Sequence, residues 1–533
     1  MSTPARHPCD EGILRAAPAA PAPAQENAPW VLVTAILGSS MAFVDGTAVN
    51  VAMPALQKSF GASVAGAQWV VEAYALFLAG LLLVGGALGD RFGRRRIFAL
   101  GVAAFAAASA WCGFAPSLSQ LIAARSLQGA AAALLVPGSL ALLAAAYPPE
   151  RRGRAIGTWS GATAITATIG PLLGGWLVDH ASWRWVFFLN LPLAAAVLLL
   201  CRTRVPESRD PEAAPHLDGA GALLATAGLG GVTFGLLAWP RLGPRAPQVW
   251  IPLAAGIAAL AGFLWVEARS RAPMMPLSLF RSRNFAGANL LTLCLYAALG
   301  GALFFLPFDL VQVQGYSATA AGAAFLPFIL ITSTLSRWSG GLVDRYGPRL
   351  PLVVGPAVAA LGFALLARPG VGGSYWTTFF PAVVVLGLGM ATTVAPLTTT
   401  VMGAVEVRHA GVASGINNAV SRVAGLLAVA VCGIVLVAGF DAGRERRLAR
   451  LDLPAVTRGE LDRTAAQLAA APIPADLPKD LQEKVRRALD NAFVDGFRRA
   501  ILVAAGLALL SSVAAAVLIE GRTSTQEKQR GER

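Results

Sequence analysis

Long apolar runs recur along the chain and are separated by short polar turns. Most of the runs are close to the roughly 20 residues that an α-helix needs to cross a bilayer, and they are numbered here span 1 to span 14. The spans are predicted near residues 30–54, 68–88, 97–114, 118–145, 155–177, 183–201, 219–239, 248–267, 284–308, 319–341, 350–368, 375–402, 411–438 and 500–519. The pattern therefore predicts an all-α membrane protein.

Three polar stretches interrupt this pattern. Residues 1–29 are rich in Pro and Ala and are predicted to form a disordered tail, and residues 521–533 form a second tail. Residues 441–495 form a long polar segment before span 14. Apolar positions recur every four residues in its second half, which predicts an amphipathic helix that runs into span 14. These positions are Leu481, Val485, Leu489 and Phe493.

One short loop occurs twice in the sequence. Residues 86–96 read GALGDRFGRRR, and residues 340–349 read GGLVDRYGPR. The interval from Asp90 to Asp344 is too long for six helices and fits eight, at about 30 residues for each helix with its loop. The chain is therefore predicted to contain two duplicated six-helix halves with spans 7 and 8 inserted between them. The predicted boundaries are 30–205 for the first half, 206–270 for the inserted pair and 271–533 for the second half.

The distribution of arginines predicts the orientation. Short cytoplasmic loops carry an excess of Lys and Arg. If the amino terminus is cytoplasmic, the inner loops contain Arg91, Arg94, Arg95, Arg96, Arg151, Arg152, Arg154, Arg202, Arg204, Arg209, Arg269, Arg271, Arg281, Arg283, Arg345, Arg349 and Arg408. The short outer loops then contain only Lys58, Arg184, Arg241, Arg245 and Arg368. Both termini are therefore predicted to be cytoplasmic, and segment 441–495 is predicted to be extracytoplasmic.

The composition agrees with this picture and excludes several function classes. The chain is 56% hydrophobic and 14% charged, against about 25% charged residues in soluble proteins. The net charge is +14, and most of the basic residues lie in loops and tails, where they set the membrane topology and contact anionic lipid. No basic face with interleaved aromatic residues suggests nucleic-acid binding. Neither the scattered cysteines nor the four histidines have metal-ligand spacing, so no metal site or cofactor is predicted.

Several motifs resemble those of a known transporter family. Residues 86–96 resemble the signature loop of the major facilitator superfamily. Residues 44–54 (VDGTAVNVAMP) are similar to the span 1 signature of its fourteen-helix drug:proton antiporter family, and residues 125–129 (RSLQG) to the family's arginine motif. Residues 170–175 (GPLLGG) resemble the motif associated with antiporters, and residues 183–192 (WRWVFFLNLP) look typical of the fourteen-helix branch. The resemblance implies the major facilitator fold, with two pseudo-symmetric six-helix bundles plus two inserted helices.

Asp45 lies in the middle of span 1, in an otherwise apolar helix. A charge at that depth costs about 3 kcal/mol on insertion scales, so it is normally functional and faces a cavity. The helical rise gives Arg125 of span 4 nearly the same depth. We hypothesise that Asp45 and Arg125 interact, that the pair breaks on protonation and that it couples transport to protons. The resemblance implies the same role for the arginine. The alternatives are that Asp45 only cross-links helices and that Arg125 bonds backbone carbonyls.

Four polar residues within the spans are candidates for contact with a substrate or ion. They are Glu72, Arg422, Asn50 and Gln128. Glu72 is predicted about one turn below the outer surface, where it either attracts cationic substrates or is wetted by the outer vestibule. Arg422 contacts an anionic group of the substrate, pairs with Asp45 across the interface, or bonds the backbone or Ser421. Asp309, near the outer end of span 9, is predicted to be solvated.

Two further sets of residues are predicted to act in conformational change. A cytoplasmic latch that favours the outward-open state consists of Gly86, Asp90, Arg91, Gly93, Arg94, Asp344 and Arg345. Isolated surface ion pairs contribute under about 1 kcal/mol, so the latch matters only if one state alone contains it. A seam between the halves, or alternatively ordinary close helix packing, consists of Gly170, Pro171, Gly174 and Gly175.

The sequence therefore predicts a proton-coupled secondary transporter that exports amphipathic organic compounds, such as drugs, antibiotics or toxic metabolites, by alternating access. The alternative is a metabolite or siderophore exporter or importer on the same fold. A membrane-embedded enzyme is disfavoured because no deep catalytic constellation is visible. A non-transporting sensor is disfavoured because it would not need a mid-membrane acid together with the antiporter motif. The expected partners are a small organic substrate, protons, the lipid bilayer and a periplasmic adaptor protein. The protein is expected to act as a monomer in the bacterial inner membrane, with the proton gradient as its energy source.

Overall fold

Long helices account for most of the chain. A computed structural model describes residues 24–209, 218–270, 273, 275–405 and 410–521. This part contains fourteen helices that are long and apolar enough to cross a membrane, which confirms the predicted number of spans. Most of the predicted tails 1–29 and 521–533 lies outside the described residues, as does the side chain of Asp344.

The helices agree in position with the predicted spans. Spans 1 to 8 are Ala24–Phe60, Val64–Phe92, Arg94–Phe114, Leu118–Ala146, Pro149–His180, Asn190–Thr203 (after a short helix, Trp185–Phe188), Gly219–Leu242 and Pro247–Arg269. Spans 9 to 14 are Arg283–Phe308 (followed by a π-helical turn, Asp309–Val313), Leu326–Tyr346 (after Ala318–Ala323), Arg349–Leu366, Phe380–Gly403 (after Tyr375–Thr378), Ala410–Leu448 and Lys479–Leu518. Span 1 begins inside the stretch that was predicted to be a disordered tail.

Helix packing divides the bundle into three parts. In the first half, span 4 packs against spans 2 and 3, and span 1 packs against span 5. In the second half, span 12 packs against spans 10 and 11, and span 9 packs against spans 13 and 14. The inserted spans 7 and 8 pack against each other, and span 7 also contacts spans 2 and 13. Span 7 therefore lies beside the junction of the two halves.

Contacts between the halves concentrate at one end of the bundle. We call the end with the 86–96 and 340–349 loops the arginine-rich end, and the other the opposite end. At the opposite end, Gln57 Oε1 accepts a hydrogen bond from Gln312 Nε2 at 2.8 Å, and Gln57 Nε2 donates to the carbonyl of Gln467 at 3.3 Å. Gln68 Nε2 donates to the carbonyl of Val429 at 2.7 Å. The halves are therefore closed together at the opposite end.

Segment 441–495 is largely helical. Span 13 continues to Leu448, a short helix covers Ala455–Thr464, and span 14 begins at Lys479, well before its predicted start. The predicted amphipathic helix is confirmed, since Val485, Leu489 and Phe493 are all buried. These apolar side chains bury against the opposite end of the bundle, which explains why the helix continues straight into span 14.

Candidate functional site

Asp45 and Arg125 meet in the interior of the first half. Arg125 Nη1 donates to Asp45 Oδ2 at 2.5 Å, and both side chains are 1% exposed or less. Asp45 Oδ1 accepts two further hydrogen bonds, from Gln128 Nε2 at 2.9 Å and from Asn190 Nδ2 at 3.3 Å. Three donors on spans 4 and 6 therefore converge on one carboxylate of span 1, as a buried negative charge requires.

Arg125 is held from several sides. Its Nε donates to the carbonyl of Val70 at 3.0 Å, and its Nη1 donates to Gln128 Oε1 at 2.7 Å. Its guanidinium carbon lies 4.2 Å from the centre of the Tyr74 ring and 5.8 Å from that of Phe187. Cation–π contacts of this kind stabilise a desolvated guanidinium. The arginine therefore makes both contacts considered from the sequence, since it pairs with the acid and also bonds a backbone carbonyl, while its role in proton coupling stays a prediction.

Sequence reasoning missed two members of the network. Ser109 Oγ on span 3 accepts from Gln128 Nε2 at 2.7 Å and from Asn190 Nδ2 at 3.2 Å. Asn190 lies within the 183–192 motif, which was used only as a mark of resemblance. A buried polar residue in that motif was the available signal, but its partner on span 1 is 145 positions away.

The expectation that Asp45 faces a cavity is wrong for this conformation. The side chain is fully buried and is enclosed by the network of the first half. A cavity does lie on another face of span 1, where Thr47, Asn50 and Val51 line a cleft of about 270 Å³ between the halves. A Cβ placed on Gly46 would meet no atom within 4 Å, so this face of span 1 is open. The acid and the cleft therefore lie on different faces of one helix.

The cleft is predominantly apolar. Its other lining residues are Ala167, Pro171, Leu303, Phe325, Phe328, Ile329, Thr332 and Ser333. No ionisable side chain lines it among the described residues. Asn50, a predicted contact residue, lies at its wall, and its Oδ1 is buried without a hydrogen-bond partner in the described part of the chain. A shift of the amide toward the cleft would let this unpaired carbonyl oxygen accept one hydrogen bond from a bound molecule.

The other predicted contact residues lie elsewhere. Gln128 belongs to the Asp45 network and does not line the cleft. Glu72 is 1% exposed, so the interpretation that the outer vestibule wets it is wrong for this conformation. Arg422 is half-buried on span 13 with its charge near the Tyr74 hydroxyl. Asp309 was expected to be solvated but is 2% exposed, because the π-helical turn places it against span 14.

The Gly170–Gly175 motif packs on two neighbours at once. A Cβ on Gly170 would strike the hydroxyl of Thr47, and one on Gly174 would lie 2.8 Å from Ala48 Cβ, so these glycines allow close approach to span 1. A Cβ on Gly175 would strike the backbone of Ala318, which belongs to the other half. The motif therefore joins the helix that carries Asp45 to the second half.

Asp179, one turn further along span 5, strengthens this contact. Its carboxylate accepts hydrogen bonds from the backbone N–H groups of Ala318 at 3.0 Å and of Thr319 at 2.8 Å. It thereby caps the helix Ala318–Ala323 from the other half of the protein, which is a favourable position for a negative charge. Nothing in the sequence pairs these segments, so Asp179 was not predicted.

The predicted latch residues lie in a compact turn at the arginine-rich end. Arg94 Nε bonds Asp90 Oδ1 at 2.8 Å, and the Arg91 guanidinium lies 5.2 Å from the Phe92 ring centre. Gly93 joins spans 2 and 3 with a φ of 116°. Gly86 lies about two helical turns before Gly93, where an added Cβ would lie 3.6 Å from that of Pro137 on span 4. Whether the turn latches one state stays a prediction.

Glu207, which sequence reasoning missed, anchors this turn. Its Oε1 accepts from the backbone N–H of Arg95 at 3.0 Å, and its Oε2 lies 3.6 Å from Nε of Arg95 and of Arg96. It lies in the segment that leads to the inserted spans. In the repeated loop, the Arg345 guanidinium lies 5.2 Å from the Tyr346 ring centre.

Substituting Gly93 by Ala is expected to destabilise the protein. A side chain would be strained at a φ of 116°, and its Cβ would lie 2.8 Å from the Glu207 carboxyl. Strain of this kind costs about 1–3 kcal/mol. Thermal unfolding of the purified protein should show a lower Tm. Gly89→Ala is the matched control, because no atom lies within 4 Å of its added Cβ. An equal Tm for the two variants would contradict the claim that the turn requires glycine at position 93.

Comparisons with known proteins agree with this architecture. Residues 35–429 match the family model described as Major Facilitator Superfamily. The "Tetracenomycin C resistance and export protein" of Streptomyces glaucescens is 34% identical over 518 residues, which cover 96% of this chain and 94% of the relative. The "Multidrug resistance protein Stp" of Mycobacterium tuberculosis is 36% identical over 485 residues, with 89% and 88% covered. The "Puromycin resistance protein pur8" of Streptomyces alboniger is 34% identical over 503 residues, with 94% and 93% covered.

A solved structure supports the fold. The inward-facing, unoccupied structure of a bacterial homolog of the human lysosomal transporter Spinster aligns with a TM-score of 0.63 and 17% sequence identity. The alignment covers 92% of this chain and 97% of that chain. The predicted fold class and the predicted family resemblance are both confirmed.

Proposed function

We propose that this chain, which belongs to the Major Facilitator Superfamily, exports amphipathic organic compounds in exchange for protons. The observation that carries the proposal is the juxtaposition on span 1 of a buried, ionisable pair and an apolar cleft. Asp45 and Arg125 form the pair, and Thr47, Asn50 and Val51 contribute to the cleft. Relatives named for resistance to or export of tetracenomycin C and puromycin support export as the direction of transport.

The cleft favours cargo with a large apolar surface and few charges. Phe325 and Phe328 offer aromatic faces, while Thr332, Ser333 and Asn50 offer a few polar contacts. This combination of an apolar wall and sparse polar groups is typical of small-molecule sites. A carboxylate or ammonium group in the cargo would find no opposite charge among the lining residues, so uncharged or weakly charged compounds should be preferred.

Coupling in this proposal passes through span 1. Protonation of Asp45 removes the negative charge that holds Arg125, Gln128 and Asn190 in place. The Asn190 carbonyl oxygen, which has no hydrogen-bond partner among the described residues, can accept a hydrogen bond from the protonated Asp45 carboxyl after rotation of its amide. Because Gly170 and Gly174 pack directly on the next turn of span 1, a shift of that helix alters both the cleft and the seam with the second half.

The arginine-rich end faces the cytoplasm in this scheme, because short cytoplasmic loops hold the Lys and Arg excess. The structure, closed at the opposite end, then corresponds to the state that loads cargo from inside. Asp45 is ionised and paired with Arg125 in that state. Opening of the opposite end releases cargo outside and lets a proton reach Asp45, and the protonated protein returns.

Uptake into everted membrane vesicles tests this function. The vesicles should accumulate tetracenomycin C or puromycin when their lumen is acidified, because the outer face of the protein then lies inside. A protonophore should abolish the accumulation, and vesicles without the protein provide the baseline. Accumulation that survives the protonophore would contradict proton coupling. Accumulation of both tetracenomycin C and puromycin no higher than in vesicles without the protein would contradict export of these compounds.

A further inference from the structure

Glu72 occupies the face of span 2 that meets both the inserted helices and the second half. Side chains three or four positions apart share a helix face, so Glu72 lies with Gln68, Trp69 and Leu76. Gln68 bonds the Val429 carbonyl of span 13 at 2.7 Å. The Trp69 ring centre lies 6.0 Å from that of Phe234 on span 7. Leu76 shares one buried cluster with span 7 and span 13. Glu72 therefore lies at the junction of spans 2, 7 and 13.

Within the described ranges, the Glu72 carboxyl is buried without a hydrogen bond or an opposite charge to offset its desolvation. The residue is 1% exposed, and neither of its oxygens has a hydrogen-bond partner in the described part of the chain. Span 7 runs alongside span 2, with Thr226 against Gly80 and Phe234 against Trp69. Thr233 therefore lies at about the depth of Glu72. Its hydroxyl is fully buried and likewise has no partner among the described residues. Two orphaned polar groups therefore share one apolar junction.

Among the described residues, no cationic side chain offsets an ionised Glu72 at this junction. On span 4, Arg125 is engaged with Asp45. On span 13, Arg422 lies near the Tyr74 hydroxyl, which is on a different face of span 2 from Glu72. Beyond its first turn, span 3 has one titratable side chain, the buried Cys112 thiol, and the stretch of span 7 from 226 to 234 has none. An ionised carboxylate in such a place is strongly disfavoured, whereas the neutral acid is tolerated.

We propose that Glu72 is a second proton-binding site, and that the seam between spans 2 and 13 closes at the opposite end only when this carboxyl is protonated. The Gln68 contact that closes the seam lies one turn away from it. When the seam opens, water reaches the carboxyl and allows it to ionise. The inserted span 7 forms the apolar wall that keeps the closed site dry. This inference extends the proposed proton coupling, but its test requires no transport.

A distance measurement in the purified full-length protein tests whether closure of the opposite end requires protonation of Glu72. Spin labels are placed at Ser119→Cys and Val371→Cys, two exposed positions at the opposite end of different halves, after replacement of the native cysteines. In the wild-type background the closed population should dominate at acidic pH. If one proton is linked to closure, the closed-to-open ratio should fall about tenfold for each pH unit in the alkaline range.

Neutral and acidic replacements of Glu72 separate proton binding from packing. Glu72→Gln and Glu72→Leu should remain closed across the same pH range, while Glu72→Asp should keep the pH dependence. The comparison is made in an Asp45→Asn background, which removes the pH dependence that Asp45 itself contributes, and the effect of Glu72 should persist there because the two sites are separate. In the Asp45→Asn background, a distance that does not change with pH while Glu72 is present, or a pH-dependent distance in Glu72→Gln, would overturn the proposal whatever the result for transport.

Discussion

Asp45→Asn is expected to abolish proton-driven accumulation of cargo in everted vesicles. An amide of nearly the same shape occupies the site but cannot take up or release a proton. A transporter that exchanges one proton for each neutral cargo molecule can accumulate cargo about tenfold for each pH unit of gradient. The variant should not accumulate cargo above equilibration. The measurement is steady-state uptake under an imposed gradient, corrected for the amount of protein in the membrane.

The same substitution removes one partner of a buried ion pair, which costs about 3–5 kcal/mol when nothing compensates. Gln128 Oε1, the Val70 carbonyl and the Tyr74 ring continue to hold Arg125 and offset part of this cost. Cargo exchange without a proton gradient should therefore survive and report a folded protein. Thr34→Val is the matched control, since it alters a buried polar side chain of span 1 outside the network and should change uptake less than about twofold. Full accumulation by Asp45→Asn would contradict the role of the acid.

Gly175→Ala is expected to prevent closure of the opposite end and to reduce transport strongly. Its Cβ would strike the backbone of Ala318, which cannot move aside as a flexible side chain does. Overpacking of this kind costs about 1–3 kcal/mol, which corresponds to a shift of roughly 5–150-fold in the closed population. The distance between labels at Ser119→Cys and Val371→Cys should lengthen, and uptake should fall in proportion.

Gly161→Ala provides the control on the same helix. No atom lies within 4 Å of a Cβ added there, and alanine favours a helix more than glycine does. This variant should transport like the wild type and keep the short distance. If Gly161→Ala and Gly175→Ala behave alike, the seam between Gly175 and Ala318 does not govern closure.

The sequence predicted those features that local pattern controls. Apolar run length located the fourteen spans, and helical rise placed Asp45 and Arg125 at nearly matching depth. The rise of a helix gives depth but not the direction of a side chain, which is why Asp45 was expected to face a cavity. Hydropathy also placed the start of span 14 too late. The helix begins at Lys479, and its first turns are polar on one face and pack on protein with the other, so they do not read as an apolar run.

Residues whose partners are distant in sequence were missed. Asn190 reaches Asp45, Asp179 caps a helix of the other half, and Glu207 anchors the turn after span 2. Each is an ordinary polar residue at the end of a span or in a loop, so neither composition nor spacing distinguishes it. Only the packing of the halves brings these residues to their partners.

Simultaneous measurement of cargo and proton movement tests the central claim most directly. Proteoliposomes with a pH-sensitive dye inside receive a gradient of the cargo identified in the vesicle assay, with no initial pH difference. In the wild type, movement of cargo down its gradient should drive protons in the opposite direction. Asp45→Asn should move cargo without moving protons. Equal proton movement in both proteins would contradict the claim that this carboxyl carries the exchanged proton.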